Sequence, residues 1–155
     1  MASMTNMTIK KIAQNKHKAI SGIHYRVEPF HLNAHLFKVV LTIAKPALTQ
    51  HVSLPVWIPG SYLVREFSKN LQNLTALQGA RNAKQLDVLQ SDKCSWQIDC
   101  DPTKPLQLSY LVYALDNSVR TAWLDAERGF FNGTSLCLRV EGQEDQEHSL
   151  ELLVP

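Results

Sequence analysis

The sequence predicts an all-β domain, an antiparallel β-sandwich or open barrel-like domain with one or two short helical turns. Apolar and polar residues alternate from residue 21 onward, as they do in strands that have one buried face. Turn-forming residues separate these runs at short intervals, which is typical of sandwiches and barrels. Because the connections are too short for helical crossovers, we expect antiparallel pairing. The length of 155 residues suits one domain.

The alternation indicates six strands. The clearest is HLFKVVLTIA, in which every second residue from Phe37 to Ile43 is apolar and faces one side. The segment LQLSYLVYAL is apolar on both faces, which indicates a central position. The other predicted strands, with their expected buried residues, are IHYRV (Ile23, Tyr25, Val27), SLPVWI (Leu54, Val56, Ile58), SLCLRV (Leu136, Leu138, Val140) and SLELLV (Leu150, Leu152, Val154).

Helical turns are expected at two places only, SYLVREF (61–67) and TAWLDAER (121–128), the second ended by Gly129. Turn-forming residues mark the remaining connections between the predicted strands. They are Pro46, Pro59-Gly60, Gly79, Asp101-Pro102, Asn132-Gly133 and Gly142.

Charge divides the chain into two parts. Residues 1–20 hold Lys10, Lys11, Lys16 and Lys18 and no acidic residue, which predicts a flexible basic leader whose first residues, MASMT, resemble a cloning remnant. The leader lacks the apolar stretch of a secretory signal, and no apolar run reaches the roughly 18 residues of a membrane span. Residues 21–155 are slightly acidic, with 12 basic and 14 acidic residues, so we expect neither a nucleic-acid nor a membrane partner. A cytoplasmic location follows as the expectation.

Three cysteines, Cys94, Cys100 and Cys137, are an odd number in a chain without a secretory signal. This predicts free thiols in a reducing compartment. On one strand Cys94 and Cys100 would lie roughly 20 Å apart, too far to form a disulfide.

The segment HLNAH (31–35) has the two histidines of the zinc-binding pattern HExxH, but Leu32 stands where that pattern has its glutamate. In an extended chain His31 and His35 would be roughly 13 Å apart, which prevents joint ligation. We therefore predict no metal site here. Neither a nucleophile elbow nor a phosphate-binding glycine loop is present in the sequence, so no catalytic or cofactor-binding residues are assigned.

Two segments remain, PVWIPGSYLVREF (55–67) and NSVRTAWLDAERGFFNGTSLCL (117–138), both rich in aromatic and charged residues. In one interpretation Asn132-Gly133 is a hairpin turn, the aromatic residues are core and the charges pair at its rim. In the other, both segments are loops at one end of the sandwich that present aromatic and guanidinium groups to a partner.

These same segments, LPVWIPGSYLVREFSKN and SVRTAWLDAERGFFNGTSLCL, resemble the two signature segments of the N-terminal domain of the glycyl aminopeptidase family. That family comprises bacterial zinc metallopeptidases of the gluzincin type, distantly related to aminopeptidase N and with a PDZ domain near the C-terminus. The resemblance extends from about residue 22 to Pro155 and includes CSWQI and LSYLVYALDNSVRTAWLD. It implies that residues 21–155 are an N-terminal β domain truncated at its C-terminal end, because family members continue past LELLVP.

The resemblance also implies a function. The parent protein would remove small N-terminal residues such as glycine from peptides, with zinc held in a catalytic domain that this chain lacks, so this chain alone would not be an enzyme. Its partners would be that catalytic domain and, indirectly, the peptide substrate. Residues facing the catalytic domain or the cleft would be Tyr62, Arg65, Arg120, Phe131 and Asn132.

Two further expectations stay open. A free-standing β-sandwich module that binds a peptide, glycan or protein is the alternative function. A truncated domain would also leave a sheet edge uncovered, which predicts self-association through that edge.

Overall fold

A computed structural model describes residues 21–80 and 82–154. These residues form twelve strands, two short 3-10 helices and one helical turn. The strands are β1 (Ile23–His31), β2 (Leu36–Ile43), β3 (Thr49–Ser53), β4 (Leu71–Gln78), β5 (Lys84–Leu86), β6 (Leu89–Asp92), β7 (Ser95–Asp99), β8 (Leu106–Tyr113), β9 (Ala122–Leu124), β10 (Gly129–Phe131), β11 (Arg139–Val140) and β12 (His148–Leu152). The 3-10 helices are Leu32–Ala34 and Phe67–Asn70, and the helical turn α1 is Gly133–Leu136.

Two sheets contribute to one apolar core. The larger has the order β12-β1-β2-β8-β4-β5 and the smaller the order β11-β3-β7-β6, while β9 and β10 form a separate hairpin. Val39 on β2 and Ile98 on β7 belong to the same fully buried cluster. The predicted all-β class is confirmed, and no described sheet closes into a barrel. No helix among the described residues is long and apolar enough to cross a membrane.

One strand pair departs from the expected antiparallel arrangement. β1 and β12 run parallel, with Ile23 opposite His148 and Val27 opposite Leu152. Short connections require antiparallel pairing only between consecutive strands, and nearly the whole domain lies between these two. The other strand pairs of the described residues are antiparallel.

The alternation predicts the burial of the central strands well. The expected apolar residues of β1 and β2 are buried, and β8 lies between β2 and β4 as predicted. β12 is also a strand, but Leu150, Leu152 and Val154 are exposed, because β12 is the outermost strand of its sheet and the smaller sheet does not cover it.

The predicted strand SLPVWI is wrong, since β3 ends at Ser53 and the chain then leaves the sheet. Leu54 and Ile58 are still buried, but Val56 is exposed. SLCLRV is a strand only at β11, because its first residues belong to α1.

The two expected helical turns have different outcomes. The helical turn expected in SYLVREF begins only at the last residue of that segment, as the 3-10 helix that starts at Phe67. The TAWLDAER turn is wrong, since these residues form β9 and a turn. In that turn Asp125 Oδ1 accepts hydrogen bonds from the backbone N–H groups of Glu127 and Arg128, both at 2.8 Å. A carboxylate that binds the backbone in this way stabilises a turn as readily as a helix start.

The segment HLNAH is not extended as expected, because a 3-10 turn separates the two histidines. His31 Nδ1 accepts the N–H of Ala34 at 3.2 Å, and His35 has left-handed backbone geometry with φ of 57°. The prediction of free thiols is confirmed for all three cysteines. Cys94 and Cys100 flank β7 rather than lying within it. The predicted leader, residues 1–20, lies outside the described residues.

Candidate functional site

The first signature segment forms a compact loop, residues 54–66, between β3 and the second 3-10 helix. The Ser61 N–H donates to the Ile58 carbonyl at 3.1 Å, which closes the turn at Pro59-Gly60. The Arg65 N–H donates to the Val56 carbonyl at 2.7 Å, and the Trp57 indole N–H donates to the Ser61 carbonyl. The loop is thus held by its own hydrogen bonds and by the buried side chains of Leu54 and Ile58.

The start of the second signature segment is a tight loop between β8 and β9, residues 114–121. The Asp116 N–H donates to the Ala122 carbonyl at 3.0 Å. Inside the loop the Thr121 hydroxyl donates to the carbonyls of Asp116, at 3.0 Å, and Ser118, at 2.8 Å. These hydrogen bonds hold the loop in one conformation, although it contains no helix or strand.

The two loops meet at one end of the sandwich. Arg120 Nη2 donates to the Gly60 carbonyl at 3.4 Å, which joins the tips of the loops. A shallow cleft of about 190 Å³ is lined by residues of both loops, among them Arg65 and Asp116. We call residues 54–66 and 114–121 together the loop surface.

Large apolar side chains cover the loop surface. Tyr62 is fully exposed at 102%, Val119 is 79% exposed and Val64 70% exposed. Trp57 and Leu63 are also more than half exposed. Single exposed apolar residues are ordinary, but several large ones on two adjoining loops form a patch of the kind that marks a binding surface.

The structure brings together three of the five predicted interface residues. Tyr62, Arg65 and Arg120 all lie on the loop surface, and Arg65 Nε donates to Ser61 Oγ at 3.2 Å, next to the Gly60 carbonyl that Arg120 contacts. The two loops therefore meet at one end of the sandwich, as the second of the two interpretations requires.

Asn132 lies behind the loop surface and has a structural role. Its N–H donates to the Thr121 carbonyl at 2.8 Å, and its side-chain Oδ1 accepts the N–H of Thr134 at 3.1 Å. It is therefore the N-cap of α1 rather than the first residue of a hairpin turn, because its side chain satisfies a free N–H of that turn.

Phe131 lies apart from the loop surface. Its ring packs edge-on against Phe37, with centroids 5.6 Å apart. It also lines an open apolar groove of about 450 Å³ that reaches Leu152 at the sheet edge. At the rim of this groove, hydrogen bonds from Arg128, Trp123 and Glu127 lower the pKa of Asp125.

No periodicity in the sequence marks Leu63, Val64 and Val119 as surface residues. Trp57 alternates with the expected buried residues of SLPVWI, which places it on the opposite face of that predicted strand. A usable signal was present, however: the apolar run Tyr62–Val64 directly follows a Pro-Gly turn, where burial in a sheet is improbable.

The described residues do not fit a zinc ion. No group of three or more His, Cys, Asp or Glu side chains among residues 21–80 and 82–154 is arranged to hold a metal. The strongly shifted buried groups serve the core instead. The Tyr110 hydroxyl donates to the Leu136 carbonyl at 2.7 Å and accepts from the Leu138 N–H, and burial raises its pKa.

Comparison with known proteins gives this arrangement a family. Residues 24–155 match the model of the peptidase M61 N-terminal domain. The chain belongs to this family. It is also similar to the crystal structure of an aminopeptidase N family protein from Idiomarina loihiensis, at 47% identity with a TM-score of 0.80 over 86% of this chain. No curated protein sequence matches the chain. The chain spans only 22% of the Idiomarina protein, about a fifth of its length.

Proposed function

We propose that this M61 N-terminal domain is the accessory β domain of a zinc-dependent aminopeptidase and packs against its catalytic domain, helping to shape the active-site cleft. The parent enzyme removes small N-terminal residues such as glycine from peptides in the cytoplasm. This chain performs no catalysis alone. The observation that carries the proposal is the loop surface, where Trp57, Tyr62 and Val64 are exposed on loops fixed by hydrogen bonds. A pre-ordered apolar surface is the usual property of a face that meets another domain.

The reading frame beyond Pro155 tests the proposal first. An HExxH motif within the next few hundred codons supports it. A stop codon overturns it and favours the alternative, a free-standing module that uses the same surface for a peptide, glycan or protein.

The second test uses activity of the full-length polypeptide on peptides beginning with glycine, alanine or leucine. Val64→Asp places a charge in the apolar patch and should lower kcat/KM by about tenfold or more, because a charge is poorly tolerated in a domain interface. Leu89→Asp is the matched control, since Leu89 is similarly exposed, at 60%, on β6 outside the loop surface. Equal effects of the two substitutions on kcat/KM would contradict docking through the loop surface. A preference for peptides that begin with leucine would contradict the proposed removal of small N-terminal residues.

Metal analysis of the 155-residue chain gives a third test. We expect no stoichiometric zinc, because zinc belongs to the catalytic domain of the proposed parent. One tightly held zinc per chain that is lost in His31→Ala would overturn this assignment.

The proposal includes self-association of the isolated chain through β12. This strand has β1 on one side and no strand on the other among the described residues, and Leu150 and Leu152 are each 50% exposed. Such an edge can pair with a second copy. Sedimentation should show dimers that increase with protein concentration, and a strict monomer at high concentration would contradict this part.

A further inference from the structure

The described arginines differ in what their guanidinium groups contact. Arg26 Nε donates to Glu151 at 2.9 Å, and Arg139 binds Glu144. Arg128 lies over the ring of Trp123, 5.6 Å from its centroid. Arg65 and Arg120 instead donate to neutral oxygens.

The guanidinium groups of Arg65 and Arg120 lie at the same turn. Their acceptors are Ser61 Oγ, at 3.2 Å, and the Gly60 carbonyl, at 3.4 Å, on consecutive residues. Within the described part of the chain, no carboxylate oxygen lies within 4.0 Å of either guanidinium group.

The acidic residues of the loop surface and its border, Glu66 and Asp116, make contacts with other groups. Glu66 Oε1 lies 3.9 Å from the Lys93 ammonium group. Asp116, which lines the same cleft as Arg65, accepts the N–H of Ser118 at 2.9 Å. Lys69 also lines this cleft and adds a further positive charge.

Covering the apolar patch would take the two guanidinium groups out of water. Leu63 and Val64 line the same cleft as Arg65. Arg120 contacts the turn that precedes them, at Gly60, so a surface that covers these apolar side chains also covers the arginines. A charge that is buried without a partner strongly destabilises an interface. The covering surface must therefore supply acidic groups, and the planar guanidinium group suits a carboxylate.

We infer that Arg65 and Arg120 form a carboxylate-binding site on the loop surface, and that acidic side chains of the docked catalytic domain occupy it. This inference rests on the proposed function, because the docked domain is the occupant. The alternative source of a carboxylate is the C-terminus of a peptide substrate, and the apolar surroundings and the absence of a deep pocket here favour the domain.

Hydrogen exchange of the full-length polypeptide tests this site. We compare the wild type with Arg65→Glu, Arg120→Glu and the double variant, and follow exchange of residues 55–67. Lys84→Glu is the control, because Lys84 is exposed on β5 outside the loop surface and its substitution changes the net charge as much as either single variant. The double variant should exchange about tenfold or more faster, and Lys84→Glu should match the wild type.

A neutral variant separates charge from loop support. Arg65→Gln and Arg120→Gln in the 155-residue chain should leave its unfolding transition nearly unchanged, since the hydrogen bonds that these side chains donate to the loop are long, at 3.2 and 3.4 Å. In the full-length polypeptide, high salt should speed exchange of residues 55–67 in the wild type and have a smaller effect in the double Gln variant.

Three outcomes would overturn the inference. The first is protection of residues 55–67 in the full-length wild type that charge reversal leaves unchanged, in which case the proposed function stands and the carboxylate site fails. The second is a rise in KM of the charge-reversal variants for peptides with a free C-terminus, but not for the corresponding peptide amides, while the hydrogen-exchange protection of residues 55–67 is unchanged. This result would assign the site to the substrate. The third is a loop that is unprotected even in the wild-type full-length polypeptide, which removes the proposed function as well.

Discussion

The sandwich core and the loop surface use the same kinds of amino acid for opposite purposes. Leu108 and Tyr110 on β8 are buried, and the Tyr110 hydroxyl has its partners. Leu63 and Tyr62 on the loop surface are exposed, on a loop closed by the backbone hydrogen bonds of Ser61 and Arg65. The core residues stabilise the domain itself, whereas the loop-surface residues have no comparable contacts within it. Such a difference is what the proposed docking of another domain on the loop surface requires.

The largest difference between the two regions should appear on truncation of a leucine. Leu108→Ala removes a fully buried side chain and should lower the free energy of unfolding by about 2–5 kcal/mol. Leu63→Ala, at a side chain that is 64% exposed, should change it by less than about 0.5 kcal/mol. Urea unfolding of both variants measures this difference, and equal losses would show that the loop belongs to the core.

Alkaline pH should also act on the core. Burial raises the pKa of Cys137 from 9.0 to about 11, and burial raises the pKa of Tyr25 and Tyr110. The folded state keeps these protons while the unfolded chain loses them, so stability is complete below about pH 9 and falls as pH rises toward 11. Cys137 alone should account for roughly 2 kcal/mol by pH 11.

Denaturant unfolding at pH 7, 9 and 11 checks this dependence, with Cys137→Ala as the comparison. The variant should lose less stability than the wild type over this range. The same loss in both proteins would show that the Cys137 thiol is not held in the buried, protonated form.

Two glycines with the same backbone geometry offer a smaller and more local comparison. Gly22 and Gly60 both have φ of 78°. A Cβ at Gly22 would lie 2.3 Å from the Glu147 carbonyl oxygen, which accepts the Ile23 N–H and begins the pairing of β1 with β12. A Cβ at Gly60 meets nothing within 4 Å.

Gly60→Ala should therefore cost only the left-handed strain, about 1–2 kcal/mol, and Gly22→Ala clearly more. Thermal unfolding of both variants gives the order. A smaller loss for Gly22→Ala would mean that β12 does not anchor this end of the domain.

The smallest effect on the isolated chain is expected from a charge on the loop surface. Val64→Asp should change its free energy of unfolding by about 0.5 kcal/mol or less, because Val64 is 70% exposed. The same substitution should impair the full-length polypeptide, as proposed above. A large loss in the isolated chain would show that the loop surface is needed for folding rather than for docking.

The fold was predictable where burial follows the strand period. Phe37, Val39 and their neighbours alternate because β2 has one face on the core and one in water. Prediction failed where alternation and strand burial do not go together. Leu54 and Ile58 follow the alternation and are buried, but their loop has left the sheet. Leu150 follows it on a strand, but that strand is uncovered and Leu150 is exposed.

The candidate site was predictable only in part. Resemblance led to Tyr62, Arg65 and Arg120, which the fold then brings to one surface. Phe131 and Asn132 belong to the second signature segment, as Arg120 does, but serve core packing and helix capping, since β10 places Phe131 against Phe37. Contacts between two loops join residues that are far apart in sequence. No local sequence pattern therefore predicts the hydrogen bond from Arg120 to Gly60.

Hydrogen exchange of residues 55–67 in two forms of the protein tests the central claim most directly. One form is the 155-residue chain, and the other is the full-length polypeptide that the proposal requires. The account predicts that these amides exchange about tenfold or more slowly in the full-length polypeptide, while those of β2 and β8 differ little between the two forms. Equal exchange of residues 55–67 in both forms would show that nothing docks on the loop surface and would contradict the account.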